Sequence, residues 1–147
     1  MFLDQLATAG SLPVLGATMR FAAERQKLLS HNIANLETPH FRPVDVEPRA
    51  FQRTLQEAIG DRRGRTAGTH GKLRIDETRQ IKQGSDGSIT LDPRTPTGNI
   101  LFHDRNNRDL ERTMQKMVEN AGQFRLAAEL MRARGSVLNT AITERVA

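Results

Sequence analysis

The chain has 147 residues, room for one domain, but only 37% are apolar and Trp and Tyr are absent, which argues against a large aromatic core. Its net charge of +5 comes from 22 Lys and Arg against 17 Asp and Glu, a mixed surface rather than a dedicated polyanion-binding face. The absence of cysteine excludes disulfides, thiolate metal sites and a cysteine nucleophile.

The amino-terminal residues are not expected to form a signal peptide or a membrane span. No basic region precedes the apolar residues, and Asp4 and Arg20 interrupt the apolar run, so we expect no cleaved signal. No apolar stretch reaches the roughly 18 residues that a transmembrane helix needs. A chain of this kind that leaves the cytoplasm would do so without a classical cleaved signal.

Residues 1–36 are predicted to form an N-terminal helical segment. The apolar positions alternate steps of three and four residues, which is the spacing of a heptad seam. Ser11 is expected to cap the helix and Pro13 to occupy its first turn, whereas Pro39 is expected to stop it. The seam comprises Leu12, Leu15, Met19, Ala22, Gln26, Leu29, Ile33 and Leu36.

The stretch LSHNIANLETPHFRP, residues 29–43, carries two asparagines near one face of the last helical turns. The side-chain amides of Asn32 and Asn35 can pair with carbonyls freed at the helix end, or with the backbone of a packed partner. Thr38 and Pro39 then fix the direction in which the chain leaves the helix. The stretch predicts a rigid elbow between a bundle helix and an outgoing extended arm.

Residues 37–105 are predicted to form this elbow and an irregular middle segment. A short amphipathic helix is predicted over residues 48–59, with Pro48 in its first turn and Gly60 at its end. From residue 45 to residue 100, only ten of 56 residues are Val, Ile, Leu, Met or Phe. This content is too low to sustain an independent core.

The rest of the middle segment is predicted to be flexible and weakly β. Residues 60–71 are rich in glycine and arginine, and a flexible loop is expected there. Two short strand-like runs flank the sequence GSDG at residues 84–87, which predicts a β-hairpin within residues 73–92.

Residues 106–147 are predicted to form a long C-terminal helix, capped by Asn106 or Asn107. At 1.5 Å per residue the periodic part would be about 50 Å long, which favours a coiled-coil or assembly element over a helix of a compact domain. The seam comprises Leu110, Met114, Met117, Ala121, Phe124, Ala128, Met131, Gly135, Leu138 and Ile142.

The predicted fold class is therefore mainly α, with long N- and C-terminal helices that form a coiled-coil-like pair. Several seam positions hold alanine, glycine or glutamine, so the pair should bury little surface and be marginal alone. Small residues also permit the close approach of further helices, as in a crowded bundle. A self-contained helical hairpin is the alternative.

No pattern in the sequence indicates an enzyme. The four histidines form no HExxH-type string, and the stretch GDRRGRTAG lacks the Gly-Lys-Ser/Thr ending of a phosphate loop. Surface histidines and a solvated basic loop account for these residues. We expect no catalytic residue, no metal site and no cofactor.

Two stretches resemble motifs of the bacterial flagellar axial proteins, and the Thr-Pro form of the first is typical of a proximal rod protein. Residues 29–43 are similar to the signature NIANxxTPGY followed by Lys or Arg, and residues 106–131 are similar to the carboxy-terminal helix of that family. The resemblance covers about half of the chain, in the order of the family. The matching residues of the second motif are Asn106, Asn107, Asp109, Leu110, Glu111, Met114, Glu119 and Asn120.

The chain departs from this pattern at its elbow. His40 stands where the family usually has Gly, Phe41 replaces Tyr, and Arg42 replaces Lys. A left-handed backbone is less favourable for a histidine than for a glycine, so the usual turn is at risk here. The further departures are Arg105 for Gly, Arg108 for Val and Phe124 for Tyr.

The resemblance implies a structural subunit of the flagellar basal-body rod, exported by the flagellar type III machinery without a cleaved signal. It further implies helical assembly in the periplasm, in which the terminal helices contact other copies, other rod subunits and the base of the basal body and export apparatus. Such a subunit gains its full order only among neighbours, which agrees with the weak seams. No nucleic-acid partner is expected.

Two groups of residues are the candidates for this role. The elbow should orient the middle segment, and the helix seams should contact neighbouring subunits. The candidate assembly motif comprises Asn32, Ile33, Ala34, Asn35, Thr38, Pro39, Phe41 and Arg42. The candidate interface residues are Leu15, Met19, Leu29, Leu110, Met114, Met117, Phe124, Met131 and Leu138.

Three alternatives stay open at this point. The chain could be another flagellar axial rod subunit, since sister proteins share the first motif. It could be an export chaperone, which should be folded and stable alone. It could also be a basic helical adaptor that binds nucleic acid, with affinity that falls steeply with salt. The footprint of that adaptor would be Arg62, Arg63, Arg65 and Lys72.

Overall fold

A computed structural model describes residues 10–67, 70–95 and 109–144. In chain order the described elements are α1 (Leu12–Ala34), α2 (Pro48–Thr66), β1 (Ile81–Gln83), β2 (Ile89–Leu91) and α3 (Leu110–Glu144). The predicted fold class is confirmed: the structure is mainly helical, its long terminal helices pack together, and a small two-stranded sheet lies between them in sequence.

Helix α1 begins and ends near the predicted positions. Pro13 lies in its first turn as expected, but Ser11, although it occupies the cap position, makes no side-chain capping hydrogen bond. The helix ends at Ala34, short of the predicted Leu36. The Asn35 N–H still donates to the His31 carbonyl oxygen at 3.1 Å, so the last turn closes before the chain leaves the helix.

Helix α2 is longer than predicted. It continues through Gly60 and Gly64 to Thr66 instead of ending at residue 59, so the first part of the expected flexible loop is helical. Arg62 gives the reason, because its buried guanidinium donates from Nη1 to the Gly10 carbonyl oxygen at 2.7 Å. This tertiary contact ties the last turns of α2 to the start of α1, and glycine propensity alone does not end the helix.

The predicted hairpin is present between residues 81 and 91. Strands β1 and β2 are antiparallel, with Ile81 opposite Leu91 and Gln83 opposite Ile89. The Gln83 side chain also holds the preceding extended segment: its Oε1 accepts from the Ile75 N–H at 2.8 Å and its Nε2 donates to the Leu73 carbonyl oxygen at 3.3 Å. The Gln83 amide thus makes hydrogen bonds to the backbone of this segment that a neighbouring strand would otherwise make.

Helix α3 has 35 residues and is antiparallel to α1. Its cap is Asp109, whose Oδ1 accepts from the Arg112 N–H at 2.9 Å. The predicted caps Asn106 and Asn107 lie outside the described residues. The antiparallel direction follows from two contacts, since the Asn120 amide reaches the Ala22 carbonyl oxygen at 2.8 Å while Met131, further along α3, lies beside Gly16, earlier in α1.

The hydrophobic core lies between one face of α1 and the middle segment. The Phe21 and Phe51 rings stack in parallel with their centroids 4.0 Å apart. The middle segment therefore contributes to a core only jointly with α1, as its low apolar content led us to expect. The buried cluster comprises Ala17, Phe21, Val46, Phe51, Ala58, Leu73, Ile75, Ile81 and Ile89.

Candidate assembly interface

Asn32 joins the end of α1 to the outgoing chain. Its side chain is 3% exposed, its Nδ2 donates to the Val44 carbonyl oxygen at 2.7 Å, and its Oδ1 accepts from the Val44 N–H at 3.1 Å. Both backbone groups of one residue are thus satisfied by one amide, as a neighbouring strand would satisfy them. The first signature asparagine fastens the extended arm to the helix.

Asn35 has a different task from Asn32. Its Nδ2 donates to the His31 carbonyl oxygen at 2.9 Å, and its backbone N–H donates to the same oxygen, so both Asn35 groups close the last turn of the helix. The two amides therefore serve two purposes, one at the helix terminus and one on the arm. The sequence predicted that both amides pair with backbone groups, but it did not assign either amide to its partner.

A tight turn follows, formed by residues 38–41. The Phe41 N–H donates to the Thr38 carbonyl oxygen at 3.2 Å, Pro39 occupies the second position, and His40 has a φ of +61°. These are the features of a type II turn, whose third position favours glycine. His40 therefore adopts the left-handed backbone of this turn although its side chain disfavours it. The turn forms with histidine in the place where the resembling family usually has glycine.

The remaining motif residues lie on the surface of this elbow. Phe41 is half-buried, and its ring lies 5.6 Å from the His31 ring. Ile33 is half-buried, whereas the other four are exposed and reach no further into the core. Those four are Ala34, Thr38, Pro39 and Arg42.

A buried charge cluster just after the elbow connects it to both terminal helices. The Asp45 carboxylate accepts from Arg25 Nε and Nη2, each at 2.9 Å, and from Lys116 Nζ at 3.0 Å. The Asp45 backbone also pairs with Arg94, just after β2. One residue thus joins α1, α3 and the middle segment.

The charges around Asp45 decide its protonation. Burial by itself would raise the pKa of Asp45, but the hydrogen bonds and charges of Arg25 and Lys116 outweigh burial and hold the pKa below its ordinary value of 3.8. The carboxylate therefore stays ionised at neutral pH. Sequence reasoning missed this cluster because its members lie 20 and 71 residues apart, beyond any local spacing rule.

The candidate interface residues of α1 are less accessible than predicted. Leu29 is only 1% exposed, so its predicted contact with a neighbouring subunit is corrected to a role in the interior of the monomer. A side chain that its own chain encloses has no surface to offer a partner. Leu15 and Met19 are half-buried.

The candidates on α3 are accessible. Leu110, Met114 and Phe124 are exposed by 41%, 53% and 37%, and Met117, Met131 and Leu138 are half-buried.

The burial of α3 is the reverse of that of an ordinary amphipathic helix. Among its described side chains only Asn120 and Ala127 are buried, and the Asn120 Oδ1 atom finds no hydrogen-bond partner among the described residues. Large apolar side chains instead face outward, a surface that usually marks a contact with another molecule. They are Leu110, Met114, Val118, Phe124, Leu126, Leu130, Val137 and Ile142.

Four of these exposed residues lie off the predicted seam. Val118, Leu126, Leu130 and Val137 occupy a second set of helical positions at steps of eight, four and seven, which the single heptad seam did not include. A search of α3 for two apolar stripes instead of one would have found them.

One residue of the footprint of the alternative nucleic-acid adaptor is buried. Arg62 is 4% exposed, and its guanidinium is engaged by the Gly10 carbonyl oxygen, so it is not available to a phosphate group. Arg63, Arg65 and Lys72 are exposed. Within residues 10–67, 70–95 and 109–144, none of the helices carries an apolar stretch of the length that spans a bilayer.

Comparison with known proteins finds relatives that match most of the chain. No protein-family model matches the chain. A flagellar basal body rod protein FlgB of Cereibacter sphaeroides is 30% identical over 145 residues, which cover 96% of this chain and 95% of the relative. A protein of the same name from Yersinia enterocolitica is 29% identical over 129 residues, 83% of this chain and 84% of the relative.

Because these relatives match it along most of its length, the chain is a structural protein of the flagellar basal-body rod class. Within that class the chain belongs to the FlgB family.

Proposed function

We propose that this protein is a subunit of the proximal rod that assembles helically with further copies and with other rod subunits. The observation that carries the proposal is the outward-facing apolar surface of α3, on which Val118, Val137 and Leu126 are exposed by 72%, 62% and 60%. Full burial of each such side chain would contribute about 1.5–3 kcal/mol. Contacts with neighbouring subunits are the natural source of that burial in a rod.

The elbow is proposed to give the subunit a preset shape before it joins its neighbours. Asn32 holds the arm at Val44, and one residue later Asp45 binds both Arg25 and Lys116. The orientation of the middle segment relative to α1 is thereby fixed by contacts within the chain. In this proposal the assembly motif acts by orientation, and the contacts with neighbours are made mainly by α3.

The interface between α1 and α3 also fits export of an unfolded chain through the type III machinery and delivery to the periplasm without a cleaved signal. Its central residues are Ala22, Asn120 and Ala127, which bury little apolar surface, and one buried amide oxygen is left without a partner. A pair of this kind opens at low energetic cost. It would close firmly once neighbouring subunits cover the outer side of α3.

The proposal is tested with Val118→Asp and Val137→Asp in a flagellated host whose own FlgB copy has been deleted. Because both side chains are exposed, the monomer should keep its fold, and far-ultraviolet circular dichroism of the purified variants should match that of the parent. We expect loss of swimming and of completed rods, since a carboxylate would be buried without a partner. Export of the variants should continue.

Ser136→Asp is the matched control, because Ser136 precedes Val137 on α3 and is an exposed polar residue. The control should swim normally, so that added charge by itself is excluded as the cause. If both valine variants swim and build rods like the control, the outer side of α3 is not an assembly surface and the proposal fails.

A further inference from the structure

An open apolar groove of about 270 Å³ lies where the three helices meet. This volume is below the roughly 300–1,000 Å³ of pockets that hold small molecules. The space suits a few side chains of another protein segment better than a cofactor. The three-helix groove is lined mainly by Leu15, Phe21, Phe51, Leu55, Leu126 and Leu130.

The same chain presents a matching ridge. Leu110, Met114 and Val118 follow one another at steps of four residues, so they form one strip in the first half of α3. All three are exposed, by 41%, 53% and 72%. We call this strip the α3 ridge.

The ridge and the groove are different surfaces of the molecule. At about 100° per helical residue, Met114 lies about 120° to one side of the buried Asn120, and Leu130 about 80° to the other. One copy therefore cannot insert its own ridge into its own groove. Two copies can join by a contact in which one supplies the ridge and the other the groove.

We propose that the α3 ridge of one copy inserts into the three-helix groove of the next copy in the rod. This inference rests on the proposed function and specifies which surfaces meet. A contact between two unlike surfaces leaves a free groove at one end and a free ridge at the other. Repetition then extends the assembly as an open helix and does not close it as a two-fold dimer.

Charge complementarity supports a second copy as the occupant. Arg49 and Arg53 are exposed on α2, beside Gln52, which itself lines the groove, and Glu47 is the acidic residue of the same surface. Glu111 is exposed beside the ridge, between Leu110 and Met114. Insertion of the ridge would bring Glu111 of one copy close to the edge of the groove of the next copy. That edge carries two arginines and one glutamate, so its net charge is opposite to that of Glu111.

The absence of native cysteine permits a direct test by disulfide crosslinking. Full-length Met114→Cys and Leu126→Cys chains, distinguished by a small tag on one of them, are co-expressed in swimming cells, and isolated basal bodies are oxidised. A disulfide requires Cα atoms within about 7 Å, so it reports direct contact. We expect a crosslinked heterodimer of the two variants.

The control pair is Thr140→Cys with Leu126→Cys, because Thr140 is also exposed on α3 but lies off the ridge. This pair should crosslink far less. Glu111→Arg should slow the first crosslink by about fivefold, the upper range for one exposed ion pair, and Arg53→Glu in the groove chain should restore it.

Three results would overturn the inference. The first is a Met114–Leu126 yield no higher than the control yield, while the valine variants above still abolish swimming, which leaves the proposed function standing. The second is efficient crosslinking of Leu6→Cys, in the amino-terminal residues that precede α1 in sequence, to Leu126→Cys within one dilute chain, which assigns the groove to a segment of its own chain. The third is normal swimming of both valine variants, in which case the proposed function fails as well.

Discussion

Helices α1 and α3 pack on each other but are covered to very different extents. The 23-residue α1 has six buried residues, and the 35-residue α3 has two among its described side chains. The longer helix is thus the less buried one. The number of neighbours around a helix, rather than the apolar pattern of the helix itself, therefore decides whether the helix belongs to a core.

The difference follows from the position of α1 between two layers. On one side Arg20, Arg25 and Asn32 all reach the middle segment, with Arg20 donating from Nη1 to the Gly87 carbonyl oxygen at 2.8 Å. On the other side Ala22 meets Asn120 of α3. Helix α3 packs mainly on α1, and much of its remaining surface is exposed.

The strongest test of this comparison removes one large side chain from each helix. Phe21→Ala on α1 takes away a buried ring that stacks on Phe51 and should lower the free energy of unfolding by about 3–5 kcal/mol. Leu126→Ala on α3 removes a side chain that is 60% exposed and should change it by about 0.5 kcal/mol or less. Urea unfolding of the purified monomers measures both values. Equal losses in the two variants would contradict the comparison.

A second test removes the charge that connects the two helices. Asp45→Asn leaves Arg25, whose side chain is 4% exposed, without a carboxylate and should destabilise the monomer by about 3 kcal/mol at neutral pH. Asp76→Asn, at an exposed aspartate, is the control and should have little effect.

The same variant has a defined pH signature. Because the pKa of Asp45 is lower in the folded than in the unfolded chain, its contribution is complete above about 3.8 and is lost as the pH falls through the lower folded value. The parent should therefore lose stability steeply below this pH, and the Asn variant should lack that part of the loss. If the stability of the parent and of the Asn variant fell equally with decreasing pH, the carboxylate would not hold the two helices together.

The smallest expected effects come from adding a methyl group on each side of the molecule. Gly122 lies on the open side of α3, where an added Cβ meets nothing within 4 Å, so Gly122→Ala should raise the free energy of unfolding by about 0.5–1 kcal/mol. Gly87 has a φ of +81° where the hairpin meets α1, and an added Cβ would lie 2.8 Å from Arg20 Nη1. Gly87→Ala should therefore lower it by about 1–2 kcal/mol. Thermal melts of both variants measure whether stability rises or falls. A rise in the stability of Gly87→Ala would contradict the packing of Gly87 against Arg20.

Much of the architecture could be predicted because its signals are local. The steps of three and four predicted both long helices, and Pro13 marked the first turn of α1. The GSDG sequence marked the hairpin turn. In the elbow, the amides of Asn32 and Asn35 were expected to pair with backbone groups, and they do so, although the choice between Val44 and the helix end became visible only in the fold.

Two of the errors share one origin, since each depends on contacts between residues far apart in the chain. Helix α2 passes through Gly60 and Gly64 because Arg62 bonds with Gly10, 52 residues earlier. Leu29 is enclosed by its own chain although its seam position could equally have served a partner. Helical periodicity shows that a residue belongs to an apolar stripe, but it does not show which of several neighbours covers that stripe.

The sequence by itself determined where the helices, the elbow and the hairpin form, because periodicity, proline, glycine and side-chain capping act over a few residues. Only the tertiary structure decided that Asp45 binds Arg25 and Lys116, that His40 adopts a left-handed backbone, and that α3 turns its large apolar side chains outward. Burial and charge pairing depend on distances in space, and the packing of distant segments sets those distances.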